Sequence, residues 1–105
     1  MDKNEAINLA KSYIATIQDK YQIEKVILFG SYAKGTNHDD SDIDLAILLK
    51  NVEDTIETQI DLMCLRRDQD LIIEPHPFAI IDFNDSNPVV AEIKKNGIEI
   101  INHAA

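Results

Sequence analysis

Apolar positions Ile7, Ala10, Tyr13, Ile14 and Ile17 recur at steps of three and four. That period predicts a helix over about residues 3–19 with one face toward a core. Lys25 to Phe29 is a short run rich in β-formers and stopped by Gly30, which predicts a buried strand. Residues 31–41 are polar and turn-rich. Ile43, Leu45, Ile47 and Leu49 then alternate with Asp42, Asp44, Ala46 and Leu48, the period of a second strand. Asn51 and Asp54 have capping-box-like spacing before Ile56, Ile60 and Met63, predicting a helix over about residues 53–67. Leu71 to Ile81 reads as a third strand. Pro75 and Pro77 interrupt it, and neither donates to a ladder, so it is expected at a sheet edge or bulged. Asn87, Pro88 and Gly97 bracket a short helix as cap, first-turn proline and terminating glycine. Ile98 to Ile101 is a small last strand. The order is α-β-loop-β-α-β-α-β, a mixed α/β (α+β) fold with a small sheet covered by helices.

The chain has 105 residues, which predicts one domain spanning 1–105. Hydrophobic residues are 45% and charged residues 28%, a globular balance. Lys and Arg number 10 against 19 Asp and Glu, a net charge of −9. No basic footprint for direct nucleic-acid binding exists in that balance. An acidic protein that handles nucleotides needs metal ions to screen phosphate. The single Cys64 excludes an internal disulfide and reads as a small core residue in a cytoplasmic protein. The first residues lack the apolar stretch of a signal peptide. The densest apolar runs, residues 26–29 and 45–49, fall far below the roughly 18 needed to span a bilayer, so no membrane role is expected.

The chemistry concentrates between Gly30 and Leu45. Asp42 and Asp44 are two apart, so on an extended strand both carboxylates share one face. Neighbouring carboxylates repel unless a cation sits between them. Mg²⁺ takes such oxygen ligands and keeps positions open for phosphate oxygens. Gly30-Ser31, directly after a strand, offers backbone N–H groups and a hydroxyl to a phosphate tail. Two other phosphate or metal motifs fail on spacing. Gly30 and Gly35 have P-loop glycine spacing, but Thr36 and Asn37 stand where Lys and Ser/Thr are required. Asp40, Asp42 and Asp44 match the opening of a calcium loop, but Leu45 and Asn51 replace its Gly and Glu. A solvated acidic turn would also account for four Asp in six residues.

Gly30-Ser31, ten residues, then Asp42-Ile43-Asp44 resembles the signature of the DNA polymerase β nucleotidyltransferase superfamily. The string Gly30-Ser31-Tyr32-Ala33-Lys34-Gly35, five residues, then Ser41-Asp42-Ile43-Asp44-Leu45 is similar to its minimal nucleotidyltransferase (MNT) branch. The element order and the segment Ile73-Glu74-Pro75-His76-Pro77-Phe78 extend that resemblance over most of the chain. The resemblance implies a polymerase β-like fold and transfer of a nucleoside monophosphate from an NTP with loss of pyrophosphate. It implies a carboxylate triad around two Mg²⁺ ions, with Asp42, Asp44 and a third acid as catalytic residues and metal ligands. Glu74, inside an apolar run, is the favoured third acid; Asp70, read as a solvated turn residue, is the alternative. Gly30, Ser31, Lys34 and Ser41 are the expected nucleotide-binding residues.

The branch is typically paired with a HEPN-domain RNase toxin. The resemblance therefore implies an antitoxin, forming a hetero-oligomer with the toxin, that moves AMP from ATP to a toxin tyrosine. An antitoxin that acts by binding only, or a small-molecule nucleotidyltransferase with a helper subunit, are the alternative readings. Among nearby residues, His76 reads as structural or exposed before it reads as a substrate contact. Lys34 reads equally as a phosphate contact and as an exposed lysine. Tyr32 either packs beneath the loop or faces solvent. Arg66-Arg67 reads as positive charge at a helix C-terminus.

Overall fold

The computed structural model describes residues 1–103. Helix α1 (Lys3–Ile17) leads into strand β1 (Ile23–Phe29), a one-turn helix α2 (Ser31–Lys34) and strand β2 (Ile43–Leu49). Helix α3 (Thr55–Cys64), strand β3 (Ile73–Ala79), helix α4 (Pro88–Asn96) and strand β4 (Ile98–Asn102) follow. The sheet order is β3-β2-β1-β4, with β2 and β3 parallel and the other pairs antiparallel. No helix among the described residues is long and apolar enough to cross a membrane.

Local chemistry sets the helix starts. Asp2 and Glu5 form a reciprocal capping box on α1. Asp54 alone caps α3, accepting from the Ile56 and Glu57 N–H groups. Asn51 lies outside this cap, its amide donating to Gln22. Asn87 caps α4 ahead of Pro88.

The two sheet faces differ. Val26 and Leu28, with Ile43, Leu45, Ile47, Leu49 and Ile73, bury against α1 and against Leu62 of α3. The other face carries a smaller apolar group of Ile27, Ala46 and Leu48 under Ile93 of α4, with Phe29, Phe78 and Phe83 beside it. Tyr13 ties α1 to α3 by donating its hydroxyl to the Leu62 carbonyl at 2.5 Å. At the other end of that contact Tyr21 donates to Asp61; burial and this bond push the Tyr21 phenol up to about 12. Removing the Tyr13 hydroxyl leaves the Leu62 carbonyl without that donor in a buried setting. Tyr13→Phe is therefore expected to cost about 1–2 kcal/mol, read by urea unfolding; an unchanged midpoint would show that the bond contributes nothing net.

Strand β3 is an edge strand, and its register with β2 runs unbroken from Ile43↔Ile73 to Leu49↔Ala79. No bulge is needed to hold the prolines. The Ile43 N–H donates to the Ile72 carbonyl, so residues 72, 74 and 76 point their backbone groups at β2. Residues 73, 75 and 77 point theirs outward, and Pro75 and Pro77 have no N–H to expose there. The outward carbonyls of Ile73 and Pro75 are taken by Arg66 and Gln59, each at 3.0 Å. Arg66 also donates to the carbonyls of Met63 and Leu71. Its role is thus to close the sheet edge as well as the end of α3.

Four expectations are corrected. The predicted helix over about 53–67 is shorter, Thr55–Cys64, and of its apolar residues Ile56 is 71% exposed and Ile60 58%, while Leu62 is fully buried. Cys64 is exposed, not a core residue. Residues 31–34 form the turn of helix α2 rather than loop, with Tyr32 buried in the main core. Asp70 is buried at 0% exposure rather than solvated. Its carboxylate accepts from the Arg67 backbone N–H and from two guanidinium nitrogens at 2.7 and 3.0 Å. Burial raises the Asp70 carboxyl, but these bonds outweigh it and hold it below the usual carboxylate range. A lowered pKa gives stability that is present above the unfolded carboxylate pKa of about 4 and lost as pH falls below it. Asp70→Asn should destabilise the fold at pH 7 by about 2 kcal/mol, and the gap to wild type should close below about pH 4. A gap independent of pH would assign the loss to packing.

Candidate functional site

Asp44 sits in β2 on the α4 side of the sheet, the face it shares with Ala46 and Leu48. The parallel register places Glu74 directly beside Asp44 and His76 beside Ala46. One ligand atom each from Asp44, Glu74 and His76 lie within 4.8 Å of one another. His76 Nε2 is 3.2 Å from Asp44 Oδ1. The Phe29 ring meets the imidazole edge-on with centroids 5.1 Å apart, which fixes the ring plane. Asp44 and His76 are each about a quarter exposed, so the cluster opens to solvent. Two carboxylates and an imidazole at this spacing fit a divalent cation.

Gly30 makes the approach to Asp44 possible. It has φ 76 and ψ −153, and a Cβ on it would overlap Asp44 Oδ2. The chain therefore turns off β1 with bare backbone against the carboxylate, and Ser31 opens α2 at that point. Asp42 stands one residue before β2 and is exposed; the three-residue ligand cluster does not include it. Ser41 is buried, with its hydroxyl accepting from the His38 N–H and its own N–H donating to the His38 carbonyl. It fixes the loop that delivers Asp42. Lys34 pairs with Glu92 of α4 at 2.6 Å and holds that carboxyl below its usual range. Asp70 is committed to Arg67.

The sequence analysis read His76 as structural or exposed; the structure brings its ring to Asp44, and the parity of β3, with His76 two residues from Glu74, already sets both on one face.

Comparison with known proteins identifies the family. The family model "Polymerase beta, Nucleotidyltransferase" matches residues 11–104. The chain is 32% identical over 103 residues to "Putative protein adenylyltransferase MJ0141" of Methanocaldococcus jannaschii, an alignment covering 95% of this chain and 100% of that one. Among solved structures, a toxin–antitoxin crystallised with AMP-PNP superposes with a TM-score of 0.60 at 22% identity, over 91% of this chain and 73% of that one. A mutant of the MntA-HpeT toxin–antitoxin superposes with a TM-score of 0.62 at 24% identity, over 89% and 72%. A glycine-bounded turn running against a strand carboxylate, with a second acid in register beside it, is thus set in a fold shared with those proteins, and this chain is an enzyme of the polymerase beta nucleotidyltransferase family.

Proposed function

We propose that the protein moves AMP from ATP to a hydroxyl on a protein partner, a tyrosine of a HEPN RNase toxin, and so acts as an antitoxin in the cytoplasm. The observation that carries this reading is the Asp44–Glu74 pair set against Gly30-Ser31. The protein-adenylyltransferase name of the 32% identical relative supports the acceptor class. The toxin–antitoxin neighbours share the fold, and one was crystallised with AMP-PNP.

In this reading Asp42, Asp44 and Glu74 hold Mg²⁺, two ions in all, whose chemistry there is to neutralise the triphosphate and lower the pKa of the attacking hydroxyl. Gly30 and Ser31 receive the phosphate tail through backbone N–H groups and a hydroxyl. Lys34 reaches phosphate by exchanging its Glu92 partner, and Ser41 keeps the loop before Asp42 in place. The acceptor oxygen bonds to the α-phosphorus, the bond to the β-phosphate oxygen breaks, and pyrophosphate leaves. Glu74 acts as metal ligand, as general base for the hydroxyl proton, or as both. A groove of about 160 Å³ between α3 and β3 is lined by Ile56, Gln59, His76, Pro77 and Phe78 among others.

The test is incubation of the purified pair with Mg²⁺ and ATP, followed by mass spectrometry of the partner. An added AMP on the partner is the expected result. No adduct, together with neutralisation by Asp42→Asn and Asp44→Asn variants, would replace transfer by binding alone. ATP affinity gives a second check. With a net charge of −9 and paired carboxylates at the site, ATP should bind at least tenfold more weakly without Mg²⁺ in calorimetric titration. Equal affinity in both conditions would remove the metal-bridged triphosphate.

A further inference from the structure

We infer that His76 supplies a nitrogen ligand to a divalent cation held by Asp44 and Glu74, giving a mixed nitrogen–oxygen position that favours Mn²⁺ and Co²⁺ over Mg²⁺. The inference deepens the reading of the Asp44 face as a metal-dependent site and rests on it. Three observations carry it. First, His76 Nε2 and Asp44 Oδ1 are 3.2 Å apart. Two ligands about 2.1 Å from one ion sit roughly 3.0 Å apart at a right angle and about 3.4 Å apart in a tetrahedron. The pair is already at the spacing of neighbouring ligands. Second, Glu74 completes a group of three ligand atoms within 4.8 Å, all on one side of the sheet through strand parity and the β2–β3 register. Third, the imidazole is not a mobile surface ring: Phe29 packs edge-on against it, and its strand is pinned between β2 and the Gln59 and Arg66 side chains.

Ligand chemistry then decides the ion. Mg²⁺ takes oxygen and keeps its water; imidazole suits the first-row transition metals. An all-carboxylate site would discriminate weakly between Mg²⁺ and Mn²⁺. Replacing one oxygen by imidazole nitrogen shifts the preference toward the transition metal.

A simple positioning role is the competitor, because the same 3.2 Å contact also serves as a hydrogen bond that orients Asp44. Two variants of the full chain separate them, His76→Gln and His76→Ala, with binding of Co²⁺ and Mg²⁺ measured by calorimetry without nucleotide or partner. Gln can still donate to Asp44 but offers no imidazole nitrogen. The expected result is a fall in Co²⁺ affinity of about tenfold or more in both variants, with Mg²⁺ affinity changed less than about threefold. The wild type should also show the His76 ring protons shifted by Co²⁺ in NMR spectra. A Gln variant that binds Co²⁺ like wild type would overturn the inference and leave His76 a positioning residue. A wild type that binds no Co²⁺ on its own would overturn it too. Neither readout uses AMP transfer. Failure of transfer with His76-dependent Co²⁺ binding intact would therefore count against the proposed function alone.

Discussion

Asp44→Asn is expected to lower AMP transfer by about 10³-fold or more while the protein stays folded. The amide keeps the size of the carboxylate, and its oxygen can still face His76, so the local hydrogen bond survives in kind. What disappears is the charge that, in the proposed mechanism, would hold a metal ion beside Glu74. Loss of one ion from a two-metal transfer removes several kcal/mol of transition-state stabilisation, and each 1.4 kcal/mol is about tenfold in rate. Stability should stay within about 1 kcal/mol or rise, because Asp44 and Glu74 no longer repel each other. Asp42→Asn tests the exposed member of the proposed triad and should fall in the same range. The measurement is transfer of labelled AMP to the partner alongside a thermal melt. Activity within tenfold of wild type for Asp44→Asn would remove Asp44 from the metal site.

Gly30→Ala is the second large effect, and Gly35 provides its control. Both glycines have φ 76, but Gly35 is left-handed helical at ψ 18, where a side chain costs about 1–2 kcal/mol, whereas Gly30 at ψ −153 is in a region almost reserved for glycine, where the strain reaches about 1–3 kcal/mol. Their surroundings differ. A Cβ at Gly35 meets nothing within 4 Å, whereas at Gly30 it overlaps the Asp44 carboxylate. Gly35→Ala should therefore lose about 1 kcal/mol of stability and keep most of its transfer activity. Gly30→Ala must also push Asp44 away from Glu74 and His76. Displacing a reacting constellation by about 1 Å costs on the order of 10²-fold, so transfer should fall by that much or more on top of the strain. Equal activity of the two variants would show that the Gly30 contact does not position Asp44.

Strand β2 was legible from the sequence because a short apolar run, buried on both faces from Leu45 onward, follows a polar, turn-rich stretch and carries an acid at alternate positions where it begins. Ile43, Leu45, Ile47 and Leu49 lie on one face, and Asp44 was placed opposite them by parity alone. Glu74 was favoured over Asp70 because an acid inside an apolar run needs a partner. The structure sets it beside Asp44 and commits Asp70 to Arg67. The environment of Asp70 was hidden, since an i,i+3 opposite-charge pair within Arg67-Asp68-Gln69-Asp70 looks like any solvated turn. For α3 the sequence predicts a helix without saying which side packs. A helical stripe says that one face is apolar, not that it meets its own core. Ile56 and Ile60 face out while Leu62 and the polar Gln59 and Arg66 face the sheet. Cys64, expected in the core because free cysteines usually pack there, is exposed.

The closed border of β3 constrains how anything can dock. A sheet rim with free N–H and C=O groups is generic: any extended segment of any sequence can latch onto it, and aggregation is the usual result. Here Pro75 and Pro77 silence the donors, and Gln59 and Arg66 occupy two of the acceptors. Main-chain zippering is thereby disfavoured along the middle of this edge. A partner that approaches next to the Asp44–Glu74 face is then selected mainly through side chains, and side-chain vocabulary is what a sequence can tune. The same four residues thus keep an exposed strand soluble and convert docking beside the site from an indiscriminate event into a selective one.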